Sequence, residues 1–379
     1  PAVIRRDMLQ GDHYDIQGID WASLGTTREE ARLMRGDTFA QISVTGAEIE
    51  APKESQKALA STENFYRFSR MNTSCNAYIR HYQLRNLLVA TSNSDLYYAD
   101  NKRVYHAHPC GMDKETVMDF SRDTTDPMEV TALSGCDNFL IAGGYNGHYA
   151  VKNLLTEVGQ KPTVGKLTTD DNGITNHCHT FYDRLSGQMK AAFCSNDRKL
   201  RILDCETNKF TAALPYHDPI NCAATSPSGR LRAVVGDFNQ TLITDATSGA
   251  TVVTLDTHSK DVFAAAWAPD DITVATGAQD SHVVVHDGRM WARPLAVLGT
   301  PLSCPRSLAF TPAGSGPRAL LAAEADDNVH AIEAGGFAAQ QTLSFFGSVA
   351  GLAVPPAGDG FFVACSDPHF GGVLEYERT

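Results

Sequence analysis

The sequence lacks the patterns of a secreted, membrane-spanning or metal-stabilised protein. Its nine cysteines include no C-x-x-C pair and no zinc-like spacing, so we predict neither a disulfide framework nor a metal. No apolar run approaches the roughly 18 residues of a membrane span, and the N-terminus has no short apolar core followed by a cleavage site. We therefore expect a reducing location, cytoplasmic and/or nuclear, and no membrane partner.

Positive charge and catalytic signatures are also scarce. The formal net charge is -12, with 32 Lys and Arg against 44 Asp and Glu, which disfavours a chain-wide attraction to nucleic acid or anionic lipid. The sequence contains no G-x-S-x-G elbow, P-loop, H-E-x-x-H helix or dinucleotide glycine fingerprint. We predict a protein that is not an enzyme and needs no cofactor.

The feature that is present is a repeat. Short β-rich runs recur along the chain, each closing on an acidic or amide residue. These end residues are Asp100, Asn153, Asp204, Asp245, Asp287, Glu333 and Glu375. A second marker, a proline that closes the first strand of the later units, recurs at Pro227, Pro269, Pro312 and Pro356. Proline presets the backbone for a turn, so each marks a reversal between two strands.

The repeat predicts an all-β, seven-bladed propeller over residues 65–379, preceded by an N-terminal arm over residues 1–64. A unit of three or four short strands cannot bury both faces alone, and radial stacking buries them while hiding the sheet edges. The last unit shows only three strands, so a closing strand is predicted near residues 65–70. Within the arm, Thr26 or Thr27 followed by Glu29 or Glu30 predicts a short capped helix ending near Arg35.

The fifth unit resembles a WD40 repeat. His258 leads into a strand, Thr276 to Asp280 forms the turn, and His286-Asp287 stands where the family has Trp-Asp. In that family a His, a Ser or Thr, an Asp and the Trp form a buried hydrogen-bonded chain within each blade. The resemblance gives those parts to His258, Thr276 and Asp280, with His286 in the Trp place. No unit keeps the Trp, so the resemblance is to a divergent WD40-repeat β-propeller family.

The segment from Arg80 to Ala90 adds a resemblance to uncharacterised WD-domain proteins of fungi. The family resemblance implies a non-catalytic scaffold or adaptor that binds a protein or peptide on the propeller face, as a subunit of a larger complex. Loops carry specificity because they vary without disturbing the framework. The predicted partner-binding residues are Tyr145, Asn146, His179, Arg198, His217, Asp218, Phe238, Asn239, Asp280 and Arg306, with His108, Asp261 and Gln279 beside them.

Two alternative functions stay open. The element His286-Asp-Gly-Arg289 resembles the W-D-x-R motif by which some WD-repeat proteins dock on a cullin-type ubiquitin ligase, which suggests a regulatory or substrate-receptor subunit. Arginines and aromatics interleave from Phe65 to Arg85, a mixture that can stack bases and neutralise phosphates, which suggests an RNA-binding propeller. His177 and His179 share one side of a strand, but a metal would need a third ligand and no metal site is predicted.

Overall fold

The computed structural model describes residues 2–46, 55–122, 125–156 and 160–379, and only the backbone of residues 39–46. Residues 47–54 of the predicted arm therefore lie outside the described residues. The N-terminal segment comprises β1 (Val3–Arg5), 3-10 turns at Arg6–Met8 and Gly11–His13, α1 (Arg28–Gly46), β2 (Ala60–Ser61) and β3 (Tyr66–Asn72). Among the described helices, none has the length and apolar composition needed to cross a bilayer.

The helix α1 begins at a capping box. The Thr27 N–H donates to Glu30 Oε2 at 3.0 Å, and the Glu30 N–H donates to Thr27 Oγ1 at 3.1 Å. The sequence predicts an end near Arg35, but the helix continues to Gly46. A single glycine such as Gly36 costs only about 1 kcal/mol inside a helix, which contacts made by the flanking turns can offset. One such contact is the ion pair of Arg35 with Asp327.

Five antiparallel sheets follow, each with four consecutive strands. Sheet 1 comprises β4 (Leu88–Ala90), β5 (Leu96–Asp100), β6 (Arg103–Ala107) and β7 (Lys114–Asp119). Sheet 2 comprises β8 (Val130–Cys136), β9 (Phe139–Gly144), β10 (His148–Asn153) and β11 (Thr163–Lys166). Sheet 3 comprises β12 (Thr175–Tyr182), β13 (Met189–Ser195), β14 (Lys199–Asp204) and β15 (Lys209–Pro215).

Sheet 4 comprises β16 (Ile220–Thr225), β17 (Leu231–Gly236), β18 (Phe238–Asp245) and β19 (Thr251–Leu255). Sheet 5 comprises β20 (Val262–Trp267), β21 (Thr273–Ala278), β22 (His282–Asp287) and β23 (Ala296–Gly299). The remaining strands are β24 (Pro305–Phe310), β25 (Ala319–Glu324), β26 (Asp326–Glu333), β27 (Ala339–Ala353), β28 (Gly360–Ser366) and β29 (Gly372–Arg378).

Sheet 6 has nine strands, in the order β1-β3-β29-β28-β27-β26-β25-β24, with β2 beside β27. The long strand β27 joins its two parts, because residues up to Ser344 pair with β26 and residues from Ser348 pair with β28. At the other end, β3 pairs antiparallel with β29, and β1 pairs with β3 as the outermost strand. The first and last parts of the chain therefore share one sheet.

The innermost strands form a ring. The strand β4 contacts β8, and contacts continue through β12, β16, β20, β24 and β27 back to β4. Apolar side chains fill the space between neighbouring sheets, as where Ile141 and Tyr149 of sheet 2 meet Phe193 and Leu203 of sheet 3. The predicted blade count of seven depends on dividing sheet 6 at β27, and it stays a prediction. So does the division of the chain at residue 64.

The first repeat unit was placed one strand too early. Asp100 ends β5, the second strand of its sheet, whereas the end residues of the next five units close third strands. The third strand of sheet 1 is β6, which ends at Ala107. The sequence misled because β5 and β6 both carry alternating apolar residues and are separated by a two-residue turn.

The arm docks on sheet 6 through Gln17 and Trp21, which a buried carboxylate of the arm holds in place. Asp15 accepts hydrogen bonds from the N–H groups of Gln17 and Ile19 and from Trp21 Nε1, at 2.8 to 2.9 Å. The Gln17 amide in turn donates to the carbonyl of Phe346 at 2.8 Å and accepts from its N–H at 2.6 Å. The Trp21 ring packs on the Phe346 ring at 4.8 Å. The arm therefore occupies one side of sheet 6 within the same chain.

Candidate functional site

A buried polar network holds sheet 5 together. His258 Nε2 lies 2.9 Å from Thr276 Oγ1, and His258 Nδ1 lies 3.0 Å from Asp280 Oδ2. The Ser259 N–H donates to the same Asp280 oxygen at 2.9 Å. These contacts tie the loop before β20 to the turn after β21. Their role is to position loops, because His258 and Asp280 are almost fully buried.

His286 lies beside this network without joining it. Its side chain is buried, and neither ring nitrogen has a hydrogen-bond partner among the described residues. The resemblance gave His286 the place of a hydrogen-bonded Trp, and the structure corrects that role. An imidazole is shorter than an indole, so its N–H does not reach Thr276. The Thr276 hydroxyl instead donates to the Val284 carbonyl at 3.5 Å.

We expect His286→Phe to stabilise the protein by roughly 1 kcal/mol at pH 7, because it removes buried polar atoms that lack partners. Burial, helped by the nearby His258, lowers the pKa of His286 to about 4. A histidine with a depressed folded-state pKa contributes full stability above its unfolded value of about 6.5 and loses it as the pH falls towards the folded value. Urea midpoints of wild type and variant should therefore diverge further between pH 6.5 and 4, while the exposed control His217→Phe should follow wild type.

The loops that the sequence singled out meet on one side of the ring. In an antiparallel sheet, the second-to-third connection and the start of the first strand lie at the same end. Backbone hydrogen bonds join these two loop classes in sheet after sheet: Tyr145 to Glu129, Asn196 to Ile174, Asp237 to Pro219, Gln279 to Asp261 and Ala325 to Cys304, at 2.9 to 3.0 Å. We call this side the loop face.

Most predicted partner-binding residues lie on the loop face. Asn146, Arg198 and His217 are exposed there, while the rest of this group is half-buried: Tyr145, Asp218, Phe238 and Asn239. His217 Nδ1 lies 3.0 Å from Asp218 Oδ2. These residues come from sheets 2, 3 and 4 and the loops between them, so they share one arc of the face.

Four predicted residues lie elsewhere or are inaccessible. Asp280 is buried beneath the face in the sheet 5 network, and Arg306 is also buried. His179 lies within β12 and lines a channel cavity of about 400 Å³, because that strand begins earlier than the histidine pattern suggested. His108 follows β6 in a third-to-fourth connection, which lies at the opposite end of the sheet. Its misplacement follows from the early assignment of the first unit.

One residue of the face escaped the partner-binding prediction. His81 lies in the loop before β4, with its ring 6.5 Å from the Tyr145 ring. Arg80, next to it, stacks on Tyr145 with its guanidinium carbon 4.8 Å from the ring centre and forms an ion pair with Glu129. The interleaved arginines and aromatics from Phe65 to Arg85 were the available signal, but they had suggested RNA.

Comparisons with known proteins agree with this architecture. A family model described as "WD domain, G-beta repeat" matches residues 249–287, which include Thr276, Asp280 and His286. One chain in a crystal structure of the mitotic checkpoint complex superposes with a TM-score of 0.63 at 18% identity, over 86% of this chain and 98% of that chain. The fold of this chain is that of a WD40-type β-propeller, and one of its repeats matches the WD40 model. The predicted fold class is confirmed, and the likeness to the solved chain shows the fold alone.

One sequence relative is a fungal protein. The chain is 24% identical over 255 residues to an uncharacterized protein of Schizosaccharomyces pombe, in a match that covers 64% of this chain and 70% of that protein. The sequence resemblance to fungal WD-domain proteins is thereby confirmed. WD40 propellers generally act as non-catalytic protein-interaction scaffolds, so the scaffold class agrees with the fold.

The segment that suggested RNA binding is built into the propeller. Tyr66 and Phe68 of β3 are buried, and Tyr66 meets Phe361 edge to face at 4.8 Å. Arg67 pairs with Glu377, and Arg70 pairs with Glu375 at 2.9 Å. Stacking of bases needs accessible rings and free cations, so the β3 part of the segment gives the RNA-binding alternative no support. Tyr78 and Tyr82, in the loop after β3, are exposed.

The paired histidines line the channel wall without a third ligand. The rings of His177 and His179 are parallel, with centroids 6.5 Å apart. Burial lowers the pKa of His177 to about 4 and, with the nearby His177 charge, that of His179 to about 3. Within the described ranges no three His, Cys, Asp or Glu side chains are grouped to hold a metal ion. These rings therefore act as packing groups of the wall, with the Phe181 ring stacked on His179.

Proposed function

We propose that this propeller is a non-catalytic scaffold or adaptor that holds a protein or peptide on its loop face, as a cytoplasmic and/or nuclear subunit of a larger complex. The observation that supports it is the arc of large side chains on that face, from Tyr145 through Arg198 and His217 to Phe238. Tyr and Arg are among the residues that most often dominate binding energy at interfaces. Within each of these sheets a backbone hydrogen bond joins the second-to-third connection to the loop before the first strand, which holds the two loops together.

The test is affinity capture of the tagged chain with mass spectrometry, in wild type and in the triple variant Tyr145→Ala, Arg198→Ala, Phe238→Ala. We expect the variant to lose a partner that wild type retains, since each anchor residue typically contributes about 1 to 2 kcal/mol or more. A matched control changes Arg184 and Leu185 to Ala, because both are exposed on the first-to-second connection of sheet 3, at the opposite end. Equal capture by all three proteins would contradict the proposal, provided that their melting temperatures agree.

The ubiquitin-ligase alternative has one observation in its favour. Asp287 holds the Arg289 guanidinium through contacts at 2.6 and 3.0 Å, while the Arg289 side chain stays 73% exposed. A fixed and exposed guanidinium on a third-to-fourth connection can serve as a docking contact. In the same capture experiment, this function predicts that a cullin adaptor is captured by wild type, lost with Arg289→Ala and kept with the triple variant of Tyr145, Arg198 and Phe238, here called the loop-face variant. The exposed Arg293→Ala is its control.

A further inference from the structure

The inner strands share a one-residue bulge near the loop face. In six inner strands the pairing with the second strand shifts by one residue at the same place. The extra residues are Thr131, Asn176, Asn221, Phe263, Arg306 and Ala350. A bulge re-aims the side chain of the extra residue. We call these six residues the bulge ring.

Three members of the bulge ring tie each sheet to the next. Thr131 Oγ1 donates to the Thr175 carbonyl at 2.6 Å. Asn176 Nδ2 donates to the Ile220 carbonyl at 2.9 Å, and Asn221 Nδ2 donates to the Val262 carbonyl at 3.2 Å. In each case the acceptor is the residue before the next bulge. These three polar side chains, in sheets 2, 3 and 4, each donate a hydrogen bond to a backbone carbonyl of the next sheet.

The series stops at Phe263, and the next member is Arg306. Its side chain interacts with that of Cys304, but two of its guanidinium nitrogens, Nε and Nη1, lack hydrogen-bond partners among the described residues. Arg306 is only 7% exposed, and its guanidinium carbon lies 3.6 Å from the centre of the Phe263 ring. An unsatisfied buried donor costs about 1 to 3 kcal/mol, and more when it is charged, so such a group calls for an explanation. Contact with one aromatic face offsets part of this cost.

Other basic side chains lie near Arg306, where the channel opens onto the loop face. We call this opening the mouth. The hydroxyl of its neighbour Ser307 donates to the Arg85 carbonyl at 2.9 Å, which brings β24 against the loop before β4. Arg85 Nη1 donates only to a backbone carbonyl, that of Val349, at 3.0 Å. Burial lowers the pKa of His81, and the positive charges of Arg306 and Arg80 lower it further.

A depression of about 480 Å³ opens beside these groups, lined by Arg80, His81 and Arg85 with Ser348 and Ser366 opposite. Its volume is within the range of small-ligand sites, roughly 300 to 1,000 Å³. Two carboxylates are near: Glu129 pairs with Arg80, and Asp326 accepts from Ser348 Oγ at 2.6 Å. Three guanidinium groups therefore stand against two carboxylates, on a chain whose net charge is -12.

We propose that this mouth binds the oxyanion of an acidic peptide side chain, with Arg80, His81 and Arg85 of the depression as its contacts and the buried Arg306 as a further positive charge beside them. The inference rests on the proposed scaffold function and names the chemistry of its partner. A planar guanidinium such as that of Arg80 matches the two oxygens of a carboxylate or three of a phosphoryl group. Burial of the neighbouring Arg85 and Arg306 strengthens the attraction of their charges for the oxyanion. Arg80 and His81 extend the site towards Tyr145, so the peptide would run from the mouth onto the arc of predicted contacts.

The test measures binding of short capped fluorescent peptides by anisotropy to the full chain. One probe carries consecutive glutamates, the second carries a phosphoserine, and the third carries glutamines in the same positions. We expect an acidic probe to bind with an affinity that falls as salt rises, and the glutamine probe to bind at least about tenfold more weakly. The stronger of the two acidic probes identifies the oxyanion. Arg306→Gln should lower that affinity about tenfold or more, and Arg306→Lys should restore only part of it.

The matched control is Arg184→Gln, which removes an exposed arginine at the opposite end of sheet 3 and should leave affinity within about twofold of wild type. If Arg306→Gln does not fold, Arg80→Gln is measured instead, because Arg80 is partly exposed and lines the depression. Equal binding of acidic and glutamine probes, no effect of either arginine variant, or tighter binding of a single-stranded RNA would overturn the inference. In that case a partner lost from the loop-face variant would still support the scaffold function, so the two proposals can fail separately.

Discussion

Removal of residues 1–72 is expected to unfold the protein or make it aggregate. The deletion takes away β3, which pairs along β29 and closes sheet 6. The side chains of Tyr66, Phe68 and Met71 are buried in that sheet, and each such burial contributes roughly 2 kcal/mol. Their combined loss approaches the whole free energy of unfolding of a typical domain, about 5 to 15 kcal/mol. Circular dichroism and size-exclusion chromatography of the purified variant measure the effect.

A shorter deletion, of residues 1–59, separates closure from docking of the arm. It keeps β3 and removes the contacts of Gln17 and Trp21 with Phe346 of sheet 6. We expect this protein to keep a cooperative thermal transition at a lower temperature, because the strand that completes the sheet remains. Two deletions with the same melting temperature would show that β3 does not close the propeller.

Asp280→Ala is expected to cost about 3 to 5 kcal/mol of folding free energy, because several buried donors lose their acceptor at about 1 to 3 kcal/mol each. The substitution leaves His258 Nδ1 and the N–H groups of Ser259 and His282 without an acceptor. Asp280→Asn keeps one acceptor oxygen and should cost less. The control is Asp245→Ala, a turn aspartate of sheet 4 whose hydrogen bonds to Ser248 are exposed. Urea unfolding at pH 7 gives the ranking.

The pH dependence of this effect has a definite sign. Burial alone would raise the pKa of Asp280, but hydrogen bonds from His258, His282 and the Ser259 N–H outweigh burial and hold the pKa well below its usual range. A carboxylate with a lowered folded-state pKa stabilises the fold above its unfolded value of about 3.9, and this stability is lost as the pH falls further. The difference between wild type and Asp280→Asn should therefore be largest near neutral pH and shrink below about pH 4. A difference that grows in acid would contradict this assignment.

The repeats were predictable from sequence because each unit carries its own turn residues and alternating apolar positions. Pro227 and Pro269 mark reversals that the structure places directly after β16 and β20. The prediction failed at Asp100, where β5 and β6 look alike locally and only the pairing distinguishes them. It also ended α1 too early, because the contact of Arg35 with Asp327 joins residues far apart in the chain.

Predictions for the candidate site succeeded where the residues lie within one repeat and failed where they depended on the surrounding packing. The resemblance of the fifth unit was sufficient to group His258, Thr276 and Asp280, since their spacing within one repeat fixes them in one sheet. It could not show that His286 lacks partners, because that depends on the depth of the space it fills. Nor could it show that Asp280 and Arg306 are buried, although both belong to segments that look like loops.

The sequence by itself determined the kind of unit, its recurrence and the all-β class, because strand alternation and turn chemistry act over a few residues. Only the tertiary structure decided which loops share a face, which histidines reach the channel wall, and that Arg306 Nε and Nη1 find no partner among the described residues. The physical reason is that ring closure brings residues from distant units into contact, and no local pattern encodes which polar groups find partners there.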